Sequence, residues 1–417
     1  MDHIISFMKI CLNRAYILIR WLLLAGITGI VLGILGGAFV LCINEVTGFR
    51  TEHPWMLYIL PAAGIAIVAV YKSDKFGTGT NCVLEGIHSG TYVPLRMAPL
   101  IIVSTVITHA FGGSAGREGA ALQLGGSIGG SLGKLMKLDE YDRKIMIMCG
   151  MSAAFSALFG TPLTATVFSM EIVSVGIMHY AALVPCCVAA LTSSEVVKIM
   201  GVHETAFSIP SEIHMGAKGM VLTIIFAVLC AGVSIIFCKL LHGTGKYLQT
   251  RIENPWIRIV AGGAAIVLLT KILGTTDYLG TGMDVIVDAL DGKVFFAAFA
   301  LKMIFTVITL CSGYKGGAII PSLFVGATFG CLFGQIAGFG APVFAACGMA
   351  AVFCGVTNCP VTSLLLAFEL FGMEYMPYFL IVVAISYMES GYFGLYESQK
   401  LMYSKTKLKF INTHTKE

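Results

Sequence analysis

Between Gly112 and Gly130 the chain reads GGSAGREGAALQLGGSIGG, which sets Arg117 and Glu118 among glycines and small residues in an otherwise apolar surrounding. An ionisable residue at membrane depth costs roughly 2.5–3.5 kcal/mol on insertion scales, so its default reading is functional. Gly116 and Gly119 flank the charged pair and let the backbone approach a ligand closely. The run AALQLGGSIGG predicts a helix packed through small residues, with Glu118 at its start. Free N–H groups and the positive dipole end gather there and attract anions. A carboxylate in that position occupies an anion site when charged and vacates it when protonated. Such chemistry is that of a gate.

Other reactive types do not assemble into a catalytic set. The candidate nucleophiles Ser114, Ser152 and Cys311 have no adjacent base, and His109, His179 and His242 fall in different segments. Nucleophilic catalysis needs a base within hydrogen-bond reach, so an enzyme is not expected. The 13 cysteines lie mostly in apolar runs without metal-ligand spacing and read as small packing residues. Neither a metal nor a cofactor is expected.

The elements that must position Glu118 are membrane helices. The chain has 417 residues, 57% hydrophobic and only 12% charged, with a mean hydropathy of +0.86. Soluble domains carry about 25% charged residues, so this is a polytopic membrane protein. A net charge of +4, scattered along the chain, gives no sign of a nucleic-acid partner. Lys9 and Arg14 precede the first apolar span, from about Trp21 to Val46, and favour a cytoplasmic N-terminus. Glycines in GITGIVLGILGG imply close packing of that span against another helix. A second span, Trp55 to Tyr71, precedes GTGTN at 77–81 and a segment through Ile87 that is too short to cross. That segment reads either as a broken helix offering backbone amides at mid-membrane or as a cytoplasmic turn.

Pro94 to Phe111 is the next apolar segment, and LDEYDRK after Lys137 is a polar cytoplasmic loop. Gly150 to Glu171 is broken at Pro162, and further apolar runs cover about 177–200, 216–241, 258–273 and 295–311. The stretches 203–214 and 243–256 are expected to separate them. The second half repeats the first. GMAAVFCGVTNCPVTSLLLAFE at 348–369 matches 150–171 without a gap at an offset of 198, with Pro162/Pro360 and Glu171/Glu369 in register. The same offset lays Arg117-Glu118-Gly119-Ala120 on Lys315-Gly316-Gly317-Ala318. Two repeats, about 20–200 and 215–400, each with a broken helix aimed at the midplane, are a transporter plan with a site at their interface. Glu171 and Glu369, nine residues after each proline, are expected to cap or brace the repeats.

These motifs resemble those of the CLC anion channels and transporters. GREGA at 116–120 is similar to the family's G-K/R-E-G-P element, with Ala120 in place of proline. GGAIIPSLFVGATFG at 316–330 is similar to its G-G-x-F-x-P element, with Ile319 in place of phenylalanine, and GTGTN resembles its G-S-G-I-P element more weakly. The likeness runs from about Gly77 to Tyr396. It implies an all-α, inverted-repeat fold with half-helices meeting at the midplane, in a homodimer with one pore per subunit. It also implies a multi-pass protein of the cell membrane with both termini cytoplasmic. By this resemblance Glu118 is the gating glutamate, with Gly116, Arg117 and Gly119 around it. Backbone amides near Gly317, Ala318 and Ile319 line the central anion site, as does Thr78 or Thr80. Tyr396 in GYFGLYESQ donates a hydroxyl to the anion, with Tyr392 and Tyr403 as rivals. The C-terminal tail is basic, and the cytoplasmic nucleotide-binding pair of many relatives is not expected.

Chloride is the expected anion, and fluoride/proton antiport the alternative. Halide/proton exchangers of the family often carry a second glutamate one residue past Glu171, where this chain has Ile172. The fluoride/proton branch carries a glutamate and a threonine at the positions of Ala318 and Ile320. VPLRMAPL and THAFGGSAGREG nevertheless share that branch's flavour. Without either relay carboxylate, weak or absent proton coupling is expected.

Overall fold

The computed structural model describes residues 2–72, 79–91, 93–202, 207, 209 and 216–416. Among these, the first half contributes α1 (Asp2–Glu52), α2 (Leu60–Tyr71), α3 (Thr80–Ser89), α4 (Met97–Ala110), α5 (Glu118–Leu135), α6 (Glu140–Phe159), α7 (Pro162–Glu171) and α8 (Leu183–Ile199). The second contributes α9 (Ala217–Arg251), α10 (Pro255–Leu273), α11 (Met283–Leu290), α12 (Ala298–Ser312), α13 (Ile319–Ala337), α14 (Ala341–Thr357), α15 (Pro360–Phe371) and α16 (Met376–Glu389). Six helical stretches among the described residues are long and apolar enough to cross a membrane. Several others are shorter, as broken helices require.

The first span is longer than its apolar run. α1 has 51 residues, about 75 Å at 1.5 Å per residue, against a hydrocarbon core of about 30 Å. Its first turns, through Ile19, are exposed, and Arg20 moors the helix to Asp142 at the start of α6 at 2.6 Å. The glycine stripe does pack closely. A Cβ on Gly29 would meet Thr192 of α8 at 2.8 Å, and one on Gly33 would meet Val196 at 2.8 Å. α9 likewise continues to Arg251, through most of the polar stretch expected to separate spans. Its polar last turns protrude beyond the apolar part. Most of 203–214 lies outside the described residues.

The two halves correspond by two offsets rather than one. Gly125 and Gly129 of α5 face the backbone of Gly150 and Met146 in α6, while Gly326 and Gly330 of α13 face Gly348 and Phe344 in α14. Only glycine permits these approaches, which leave no room for a Cβ. α4 and α5 therefore match α12 and α13 at an offset of 201, whereas α6 and α7 match α14 and α15 at 198. α6 has 20 residues and α14 has 17, so the difference is about one extra helical turn at the start of α6. The ungapped alignment of Arg117–Ala120 on Lys315–Ala318 is thus three residues out of register. Arg117 corresponds to Ala318, and Glu118 to Ile319.

The prolines break the second pair as expected. α6 ends on Gly160 at φ 70° and α14 on Asn358 at φ 59°, after which Pro162 and Pro360 open the next helices, where a missing N–H costs nothing. Glu171 then accepts from Val361 N at 3.1 Å and Thr362 N at 2.8 Å. Glu369 accepts from Leu163 N at 2.9 Å and Thr164 N at 2.8 Å. Each helix caps its counterpart's N-terminus, which is the bracing role expected of the two glutamates.

A small sheet joins the helices, a feature the apolar pattern did not announce. β1 (Ser174–Val175) pairs in parallel with β2 (Lys400–Tyr403), which pairs antiparallel with β3 (Phe410–His414). It ties the end of α7 to the C-terminal tail.

Candidate functional site

Two helix N-termini meet where the repeats touch. Gly116 N donates to Gly317 O and Gly317 N to Gly116 O, both at 2.7 Å. Two residues earlier, each chain segment donates to a threonine of the other half. Ser114 N donates to Thr309 Oγ1 at 3.1 Å, and Lys315 N to Thr108 Oγ1 at 3.2 Å. Arg117 and Ala318 then stand as N-caps with nearly the same backbone, φ −105° and ψ −9° against φ −102° and ψ −2°. The glycines are needed because the two backbones touch each other. A Cβ on Gly119 would lie 3.0 Å from Gly317 Cα, and one on Gly317 would lie 2.5 Å from Gly119 N.

Glu118 sits wholly buried at this junction. Its Oε1 accepts from Arg117 N at 3.1 Å and its Oε2 from Ile320 N at 3.2 Å. The carboxylate of one repeat therefore fills the amide cradle at the helix start of the other. Pro321 follows in the first turn of α13, where its lack of N–H breaks no helical bond. Any anion using the Ile320 amide must displace this carboxylate. Arg117 does not hold it by a side-chain ion pair, since its guanidinium donates to Leu158 O at 3.1 Å, at the end of α6.

The remaining candidates are distributed around this centre. Gly116, Gly119, Gly317, Ala318 and Ile319 belong to the junction itself. Thr80 opens α3, buried, and its hydroxyl reaches Gly119 O at 3.4 Å. α3 is a short helix after Gly79 at φ 122°, the broken-helix alternative for this segment. Thr78 lies outside the described residues. Tyr396 is buried. Of its rivals, Tyr392 gives its hydroxyl to Ser404 at 3.0 Å, and Tyr403 stacks edge-on with Phe410, largely exposed. Thr415 Oγ1 donates to Tyr396 O at 2.7 Å, so the C-terminal tail holds the loop that carries this tyrosine.

A cavity of about 560 Å³ leads to the junction between the C-terminal part of α1, the ends of α6 and α8 and the start of α11. Arg117 and Ile320 are among the residues that line it. Because α5 starts and α6 ends here, the cavity opens on the side opposite the basic loop at 134–144. Arg50 on its wall was not singled out in the sequence. Its only signal there was a charge closing a long apolar run.

A membrane fold with paired half-helix N-termini around a buried carboxylate is that of an anion transport protein. The family model for the voltage gated chloride channel matches residues 71–391, and the chain belongs to that family, the CLC proteins. It is 33% identical over 395 residues to a protein of Pseudomonas syringae pv. tomato named a chloride/fluoride channel protein, covering 93% of this chain and 87% of that one. Its fold matches the crystal structure of a CLC-type fluoride/proton antiporter with a TM-score of 0.88 and 30% identity, covering 92% of this chain and 98% of the other. A slow cyanobacterial Cl−/H+ antiporter matches with a TM-score of 0.78 at 19% identity, over 89% and 94% of the two chains, a likeness of fold alone. The chain is thus an integral, multi-pass, inverted-repeat protein of a family of anion channels and transporters.

Proposed function

We propose that this chain carries a small halide across the cell membrane along a path that Glu118 opens and closes. One observation carries the reading, namely the Glu118 carboxylate bonded to the Ile320 amide at the start of α13. When charged, Glu118 competes with the anion for that amide; when protonated, it loses the competition and leaves. Ala318, Ile319 and Gly317 line the vacated site, with Thr80 or Thr78 and Tyr396 on its other side. Two copies of the chain form a homodimer with a path in each, and both termini face the cytoplasm. The activity is transport rather than enzymatic conversion.

Chloride is the anion expected from the motifs. Fluoride is favoured as a second reading by the 33% identity to the chloride/fluoride channel protein and the 30% identity to the fluoride/proton antiporter. Proton coupling is weak in either case. Glu171 is committed to three bonds at the start of α15, and Ile172 and Ala318 bring no second carboxylate. Purified protein in liposomes loaded with chloride, then fluoride, gives anion efflux and external pH together. Glu118→Gln is expected to pass anions without pH dependence, while the parent speeds up on acidification of the side Glu118 faces. A pH response in Glu118→Gln equal to the parent's removes Glu118 from the gate.

A further inference from the structure

Arg50 lies near the end of α1, only 8% exposed, and lines the cavity that leads to Glu118. Its Nε meets no hydrogen-bond acceptor among the described residues. Asp277 and Asp284 lie on the same wall, yet neither forms an ion pair with it among the described residues. A buried charge without a partner is among the costliest features a fold can keep, so its retention calls for an explanation.

The neighbouring carbonyls are already taken. Lys302 of α12, wholly buried, donates its Nζ to Tyr278 O at 3.2 Å and Gly280 O at 2.7 Å, and lies 5.1 Å from the centre of the Phe324 ring. Arg50 runs beside the same Gly280, its Nη2 3.5 Å from where a Cβ would stand. Lys302 therefore holds the two carbonyls nearest to Arg50, and Arg50 forms no hydrogen bond to either. The same cavity is also lined by Arg117 and by Ile320. Lys198, also on the wall, is engaged by Glu195 at 3.2 Å. Guanidinium groups on the cavity wall thus extend from Arg50, which has no partner among the described residues, to Arg117 beside the amide that Glu118 occupies.

We propose that Arg50 is the centre of an outer anion-binding site, which holds a small monovalent anion in this vestibule before it reaches Glu118. The anion supplies the partner that the protein withholds from Arg50. At about 560 Å³ the cavity has room for an ion with many waters, each taking about 30 Å³. The ion touches the guanidinium on one side and keeps its waters on the others, so the site concentrates anions with little ranking by size, and selection is left to the inner junction. The proposal rests on the anion path argued above only for the order of the two sites, and its test separates them.

Crystals of the parent protein and of Glu118→Gln soaked in sodium bromide give the anomalous signal of the ion at each position. The expected result is a bromide peak within about 4 Å of the Arg50 guanidinium, the ion-pair distance, in both proteins. Bromide at Arg50 with none at Ile320 in Glu118→Gln upholds this site and counts against the gate. Bromide at Ile320 with none at Arg50 overturns the outer site and leaves the gate intact, and so does the absence of bromide from Arg50 in both proteins. In liposomes, Arg50→Gln is expected to raise the half-saturating anion concentration on the cavity side about tenfold, the low end of electrostatic focusing. Arg50→Lys restores most of it, and the Glu118-dependent pH response persists. A half-saturating concentration unmoved by Arg50→Gln refutes the proposal.

Discussion

Replacing Glu171 with glutamine separates a brace from a proton carrier. The carboxylate is 5% exposed and accepts from Val361 N at 3.1 Å, Thr362 N at 2.8 Å and Thr362 Oγ1 at 2.5 Å. Glutamine offers one oxygen and one NH2 to the same three donors. At least one buried donor then loses its acceptor, which costs about 1–3 kcal/mol. Loss of the negative charge at the start of α15 removes about 1 kcal/mol more. Glu171→Gln is therefore expected to destabilise the protein by about 2–4 kcal/mol. Glu369→Gln makes the same exchange at α7, where the carboxylate is half-buried and accepts from two backbone donors; its cost is about 1–2 kcal/mol. The assay is the temperature at which each detergent-solubilised variant loses its monodisperse peak, with anion flux measured on the surviving protein. Parent, Glu369→Gln and Glu171→Gln should melt in descending order, and both variants should keep the pH response of flux. A Glu171→Gln protein that melts with the parent yet abolishes proton movement refutes the brace.

Gly317→Val is expected to abolish most anion flux, because its Cβ lies 2.5 Å from Gly119 N and 3.1 Å from the Glu118 carboxylate; normal flux in liposomes would put the anion elsewhere. A chloride gradient should drive little or no proton uptake, and stoichiometric uptake in the liposome pH assay would overturn the weak-coupling reading. Burial holds Lys405 down at about 8 from its ordinary 10.5, and its ammonium donates to Asn358 Oδ1 and Ser390 Oγ. Between those two values the unfolded chain binds more protons than the folded one, so stability rises with pH across that window. Melting temperatures measured from pH 7 to 10 should show the rise, and Lys405→Met should flatten it.

What the sequence disclosed follows from what stands out in an apolar chain. Charge among glycines, as in GREGA and KGGA, is conspicuous there, and it identified both helix starts that the structure joins. Pro162 and Pro360 with their trailing glutamates were equally legible, because proline breaks a helix wherever it falls. The extra turn at the start of α6 was invisible to an ungapped comparison, and it shifted α4 and α5 against α12 and α13 by three residues. Hydropathy marked where helices are most apolar rather than where they end, so α1 ran past its predicted bounds through exposed turns holding Lys9 and Arg14, and α9 through polar ones. The short strands carry too few residues for a period of two to register. Arg50 was missed because a lone charge closing an apolar run is ordinarily a boundary marker. Only its burial and its lack of a partner distinguish it.

The Gly116–Gly317 bridge also bears on how the protein is made. Its two strands of backbone are 201 residues apart in the chain, and a ribosome adding about 5–20 residues per second needs roughly 10–40 s to supply the second after the first. During that interval the first half waits in the bilayer with the Gly116 N–H and carbonyl unmatched and the Glu118 carboxylate lacking the Ile320 amide. Exposed to lipid, each such group costs several kcal/mol. The half-made protein must therefore be sheltered by water, by the insertion machinery or by a second nascent copy. The contact between Glu118 and the Ile320 amide forms only when the later half arrives.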